Sequence, residues 1–109
     1  MTTPQDIFEK EIPAAMQANP KVVKNLNAII HFNLTGQNGG VWALDATVLP
    51  AKVTSGAVGK PNLTMTVNAT GFVKIRQKKA NPQILMMQGK LKMTPLNIGL
   101  AVKLAQVLG

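Results

Sequence analysis

Side chains able to do acid–base, nucleophilic or metal chemistry are scarce in these 109 residues. The only histidine is His31, the carboxylates are Asp6, Glu9, Glu11 and Asp45, and cysteine and tyrosine are absent. Asp6, Glu9 and Glu11 fall on one expected surface helix. A glycosidase carboxylate pair, a nucleophile–histidine–carboxylate triad or a histidine–carboxylate metal site needs converging groups that this inventory scarcely holds. The absence of cysteine removes disulfides, thiol catalysis and cysteine zinc sites together. The expectation is a chain that is not an enzyme, with no cofactor and no metal.

What the chain offers instead is apolar surface edged by lysine. Met86-Met87-Gln88-Gly89-Lys90-Leu91-Lys92-Met93 sets a methionine-rich helix end against a short basic–apolar alternation, and Gly99-Leu100-Ala101-Val102-Lys103-Leu104 belongs to a closing amphipathic helix. Hydrophobic residues make up 46% and aromatics 4%, so the interior is expected to be aliphatic, with alanine and methionine. Methionine is unbranched and repacks readily, which suits either a soft core or a site for irregular flexible ligands.

Charge is uneven along the chain. Residues 1–11 carry a net −2 and residues 12–109 a net +10, for +8 overall. That balance favours anionic partners such as phospholipid surfaces, fatty-acid carboxylates, coenzyme A phosphates or nucleic acid. A basic nucleic-acid module is the alternative reading. Against it, the only aromatics are Phe8, Phe32, Trp42 and Phe72, with no basic–aromatic interleaving to stack bases. No run is long and apolar enough to span a bilayer, and Met1 to Asp6 lacks the pattern of a signal peptide. The expected location is intracellular and cytoplasmic, which leaves the Asn-x-Thr triplets at Asn33, Asn62 and Asn68 unglycosylated.

These residues have to be positioned by one domain, 1–109. Thr3-Pro4-Gln5-Asp6 carries the cap, proline and acidic first turn of a helix start. Ile7, Phe8 and Ile12 form its stripe, and Pro13 is expected to kink or restart it. Asn19-Pro20 repeats the signal for a short helix to Leu26. Ala28 to Leu34 and Val41 to Thr47 alternate as strands around a glycine-rich turn and make a hairpin. A weaker strand is expected around Leu49 to Val53, and a clean one at Leu63 to Val67. A helix begins near Thr70-Gly71 and carries Phe72, Ile75 and Lys79. Asn81-Pro82 caps another that Gly89 ends, and Lys90 to Met93 is a fifth strand. The terminal helix is expected from Thr94-Pro95, with Leu96, Leu100, Ala101, Leu104, Val107 and Leu108 on one stripe. This order is α+β, with an antiparallel-rich sheet covered on one face.

Three segments carry a resemblance. Gly39-Gly40-Val41-Trp42-Ala43-Leu44-Asp45 is similar to a glycine turn and Trp-x-x-Asp strand. Lys60-Pro61-Asn62-Leu63-Thr64-Met65-Thr66-Val67 is similar to a Thr-x-Thr strand. Asn81 to Met93, continuing to Gly99 through Leu104, matches in composition, spacing and order. Together they resemble the sterol carrier protein 2 (non-specific lipid-transfer) family as a single stand-alone domain, over nearly the whole chain. There are departures. Asn62 stands where the family commonly has an acidic residue, and Thr94-Pro95-Leu96-Asn97 is one residue longer than the family's connection, at the expected tunnel entrance.

The resemblance implies a five-stranded, largely antiparallel sheet with helices packed on one face, enclosing an apolar tunnel closed by the C-terminal helix. It also implies non-catalytic, broadly specific binding and transfer of fatty acids, fatty acyl-CoA, sterols or phospholipids. On this reading Met65, Phe72, Ile75, Ile84, Met87, Leu91, Met93, Leu96, Leu100 and Leu104 line the tunnel. Lys24 and Arg76 are candidates for the headgroup end. Lys90, Lys92 and Lys103 steer the protein to transient contact with anionic membranes. No nucleic acid is expected as a partner, and the chain is expected to be a monomer or weak dimer. A peroxisomal location is compatible with the family, but the chain ends without the C-terminal targeting tripeptide. An accessory or dimerisation domain that kept this fold without a ligand is the other alternative. Trp42 is expected as a half-buried strand anchor, and His31 and Asp45 as hydrogen-bonded structural residues.

Overall fold

The computed structural model describes residues 3–48, 51–94 and 97–108, the last segment without the side chains of residues 98, 105, 107 and 108. The expected strand start at Leu49-Pro50, the Pro95-Leu96 connection and the side chains of Val107 and Leu108 lie outside the described residues.

The chain opens with α1 (Pro4–Asp6), a π-helical stretch (Ile7–Glu11) and α2 (Ile12–Ala18), one following directly on another. Thr3 and Asp6 form a reciprocal capping box: the Asp6 N–H donates to Thr3 Oγ1 at 3.2 Å, and the Thr3 N–H donates to Asp6 Oδ2 at 3.3 Å. Pro13 does not break this helix. The turn before it widens, with the Ile12 N–H bonding to Ile7 O, and Pro13 falls at the start of α2, where its missing N–H matters least. α3 (Pro20–Leu26) follows and ends on Asn27 in the left-handed region.

Strands β1 (Ile29–Thr35), β2 (Gly40–Asp45), β3 (Lys52–Ser55), β4 (Leu63–Asn68) and β5 (Leu91–Thr94) form one sheet in the order β3-β2-β1-β4-β5. The expected β1–β2 hairpin is present. Gly39 is required in its turn, because a Cβ there would stand 2.2 Å from Leu34 O. β1 also pairs with β4 in parallel; the other pairings are antiparallel. The registers place apolar residues in rows across one face. Val53, Leu44, Ile30 and Leu63 make one row; Trp42, Phe32, Met65 and Met93 the next; Leu34, Val67 and Leu91 a third. A one-residue slip in any pair would turn its row to the other face.

α4 (Ala69–Arg76), α5 (Pro82–Met87) and α6 (Ile98–Leu108) complete the chain. Asparagines start all three. Asn68 Oδ1 accepts from the Thr70 N–H at 2.8 Å, Asn81 Oδ1 from Gln83 at 2.8 Å, and Asn97 Oδ1 from Leu100 at 3.0 Å. The terminal helix therefore begins later than Thr94-Pro95: Thr94 belongs to β5, and Asn97 is the cap. Lys79 lies beyond α4 rather than on it. α4 and α5 both close in Schellman geometry. Lys79 N–H reaches Lys74 O and Lys78 N–H reaches Ile75 O, with Lys78 at φ 61; Lys90 reaches Leu85 and Gly89 reaches Met86, with Gly89 at φ 73.

The interior is mostly aliphatic, yet all four aromatic residues gather in it. The Phe8 ring lies 5.0 Å from Trp42 and 5.0 Å from Phe72, within 9° and 4° of parallel. Phe32 meets Phe8 and Phe72 at steep angles. Such pairs add about 0.5–1.5 kcal/mol each beyond the area they bury.

Candidate functional site

Beyond this aromatic cluster, toward β5, the helix-facing side of the sheet is not filled. α4, the turn after it, α5 and α6 stand around an open groove of about 1090 Å³. Met65 of β4, Met93 of β5 and Phe72 and Ile75 of α4 form its apolar floor and one wall. Pro82, Ile84, Met86 and Met87 supply the α5 wall, and Ala101, Val102 and Leu104 the α6 wall.

The local sequence explains why the groove exists. α4 and α5 are separated by the Gln77–Asn81 turn, and α5 lies against β5 at the edge of the sheet. α6 packs against α2 and α3 instead. The remaining space is edged by side chains that reach past it: Ile84 is 51% exposed, Val102 53% and Met87 88%. Exposed large apolar residues so close together around one concavity mark it as a surface for apolar matter.

Of the residues singled out from sequence, Met65, Phe72, Ile75, Ile84, Met87, Met93 and Leu104 line this groove, together with Arg76. Leu91 does not: it is 2% exposed and packed into the core beside Val67. Leu100 is partly buried against the core and outside the lining. Leu96 lies outside the described residues. Lys24 is exposed in the last turn of α3, where a cation complements the helix dipole, and it is not among the lining residues. Lys90, Lys92 and Lys103 are exposed and are likewise absent from the lining.

Sequence reasoning missed Ala80, Met86, Ala101 and Val102, and the polar edge of Lys78, Lys79, Asn81 and Gln83. The Asn81-Pro82 helix start was the available signal. A cap that turns the chain back at this point brings the preceding lysines to the same rim.

Arg76 is the polar side chain set most deeply in the wall. Its Nε stands 3.5 Å from Glu11 Oε1, an ion pair. Nε is shielded from solvent yet makes no hydrogen bond. The contact is electrostatic and outside good hydrogen-bond geometry. The remaining polar candidates are structural. His31 is 8% exposed on the opposite face of the sheet, its Nε2 3.0 Å from Val58 O. Asp45 Oδ1 accepts from the N–H and hydroxyl of Thr47. Trp42 is half-buried in the aromatic stack. Asp6 is held below the ordinary carboxylate value, first by the Thr3 N–H and then by the Thr3 hydroxyl. A smaller cleft of about 300 Å³ between Thr3, the Gln37-Asn38 turn and the start of α4 has a mixed polar lining. No cluster of metal-ligating side chains occurs among the described residues.

With this geometry in place, the comparisons with known proteins decide the lineage. A profile of the SCP-2 sterol transfer family matches residues 9–109. The chain belongs to the SCP-2 sterol transfer family. Sterol carrier protein domain 2 of Helicoverpa armigera superposes with a TM-score of 0.78 at 30% identity, over 98% of this chain and 90% of that one. The palmitated SCP2L2 of Aedes aegypti superposes with a TM-score of 0.75 at 25% identity, over 98% and 95%. Hydroxysteroid dehydrogenase-like protein 2 of Mus musculus is 35% identical over 89 residues, covering 81% of this chain and 18% of that protein. This chain spans about a fifth of the length of the curated relatives it matches. What it shares with those larger proteins is an SCP-2 segment.

Proposed function

We propose that this chain binds lipids without catalysis and passes them between membranes, taking fatty acids, fatty acyl-CoA, sterols or phospholipids with broad specificity. The observation that carries the reading is the open groove of about 1090 Å³ walled mainly by apolar side chains. Burying apolar carbon there is worth about 0.8 kcal/mol per methylene. Ten to fifteen methylenes (an order-of-magnitude range) offset the ordering of a flexible chain and reach roughly micromolar affinity. The methionine walls let the site follow chains of different shape, which favours breadth over discrimination. Membership of the SCP-2 sterol transfer family supports this reading, as does similarity to a palmitated relative.

Transfer requires the groove to meet a membrane. Ile84, Met87 and Val102 stand out from the rim, with Lys78 and Lys79 beside them. Apolar tips flanked by cations suit an anionic bilayer surface, each lysine adding about 1 kcal/mol near it. α6 then acts as the movable wall that closes the groove into a tunnel around its ligand. The chain works within the cell on this reading.

The test is native mass spectrometry after gentle purification, joined to titration with a fluorescent fatty acid. Co-purified lipid or saturable one-to-one binding is the expected result. No lipid and no saturable binding at roughly tens of micromolar would overturn the proposal.

A further inference from the structure

We propose that Arg76 recognises the charged end of a bound lipid, so that the groove prefers an ionised carboxylate to a neutral headgroup on the same chain. The inference rests on the lipid-binding reading above and adds to it the chemistry that selects among ligands.

Three observations converge on Arg76. It lines the groove at the end of α4, where the apolar floor gives way to Lys78 and Lys79. No aspartate or glutamate belongs to the lining among the described residues, so every charged side chain in it is a cation. Its charge is also incompletely matched: Nε makes no hydrogen bond, and Glu11, the acid beside it, approaches only to 3.5 Å. A guanidinium carries five N–H donors in a planar fork suited to a carboxylate. One distant contact leaves most of that capacity unused. A scaffold ion pair would be expected to saturate its arginine through short paired bonds.

Glu11 is not part of the groove lining and its side chain is 38% exposed. It steadies the guanidinium at the wall and competes weakly with a ligand for it. An incoming carboxylate supplies the short acceptors that Glu11 does not, and those charge-assisted bonds offset the cost of partly desolvating it. The selectivity is therefore for charge and not for chain: chain length sets affinity through the methionine walls, and the headgroup sets it through Arg76.

The experiment compares decanoate with decan-1-ol at about pH 8, where the acid is ionised, by displacement of a fluorescent probe. In the unaltered protein, decanoate should bind about tenfold more tightly than the alcohol. R76Q should bring the two affinities together, and R76K should keep part of the preference through its point charge. E11Q should widen the preference, by about threefold, as the competing anion is removed. Circular dichroism and the urea unfolding midpoint serve as the control for a folded chain in every variant. Equal affinities in the unaltered protein would overturn the inference. So would a preference that survives R76Q and falls instead in a K78Q/K79Q double variant, or one that narrows in E11Q. Failure of both ligands to bind would sink the lipid-binding reading itself, which is a different outcome.

Discussion

Under the N-terminal helix, the sheet meets Phe8, whose ring lies between Trp42 and Phe72 with Phe32 against its edge. Toward β5 the same face of the same sheet meets Met65, Met93 and the α5 methionines, and the space above them is open. Phe72 and Met65 belong to both regions: each is almost fully buried, and each forms part of the groove wall. Flat rings at fixed offsets fill one end to the density of a protein interior. Flexible thioethers at the other end tolerate space that a ligand can take. The contrast teaches that an apolar face becomes core or site according to what the covering helices leave over it.

The largest expected effect comes from breaking the filled end. Phe8→Ala should cost about 3–5 kcal/mol in urea unfolding followed by Trp42 fluorescence. Met87→Ala, at the open end, should change stability by less than about 0.5 kcal/mol. Equal costs would erase the distinction between the two regions.

Next in size is a change that makes the open end resemble the filled one. Ala101→Phe places a ring in the α6 wall and should weaken binding of a fluorescent fatty acid by about tenfold or more. Its effect on the melting transition should remain small, because the ring enters open space and not a packed core. Unchanged affinity would move the ligand away from this groove.

A smaller effect concerns how the walls are joined. Lys78 holds a left-handed conformation that glycine adopts at no steric cost. Lys78→Gly should raise stability by about 0.5–1 kcal/mol, read as a shift in urea midpoint, with alcohol binding preserved. A loss of stability would mean that the lysine stem contributes packing greater than its backbone strain.

The smallest effect lies at the start of the filled end, in the Thr3–Asp6 box. The Asp6 carboxyl is depressed below its ordinary 3.8 by the Thr3 N–H and hydroxyl. The folded state thus favours the ionised form. That contribution is complete above the unfolded value and is lost as pH falls through the lower folded value. Thr3→Ala should flatten the loss of stability below about pH 4 and leave the groove untouched, as followed by acid titration of the unfolding midpoint. An unchanged acid limb would show that the box carries no pH dependence.

Much of this arrangement could be read before any coordinates. Alternation in residues 28–34 and 63–67 identified the apolar sheet face, and Asn81-Pro82 with Gly89 identified the helix whose methionines edge the groove. The parallel pairing of β1 with β4 was not legible, since strand alternation says which face is apolar and not which distant strand is its neighbour. Nor was the gathering of Phe8, Phe32, Trp42 and Phe72, which come from four elements and meet only through the fold. Leu91 and Met93 show the limit at finer scale. They share a face of β5 two residues apart, yet Leu91 lies in the core row with Val67 and Met93 borders the groove. Periodicity assigns both to the apolar side and has no means of telling a filled position from an open one. The helix connection at Pro13 carried a different ambiguity: proline forbids one hydrogen bond, and only the widened turn before it shows how the chain complies.

The most direct test of the central claim, that the methionine-lined end of the sheet receives the apolar chain of a lipid, is methyl NMR of 13C-labelled methionine during titration with decanoate. Met16 is buried in the core and outside the groove lining, and serves as the comparison. Saturable shifts at Met65, Met86, Met87 and Met93, larger than the shift at Met16, are predicted. Saturable binding that leaves those four methyls in place would contradict the account.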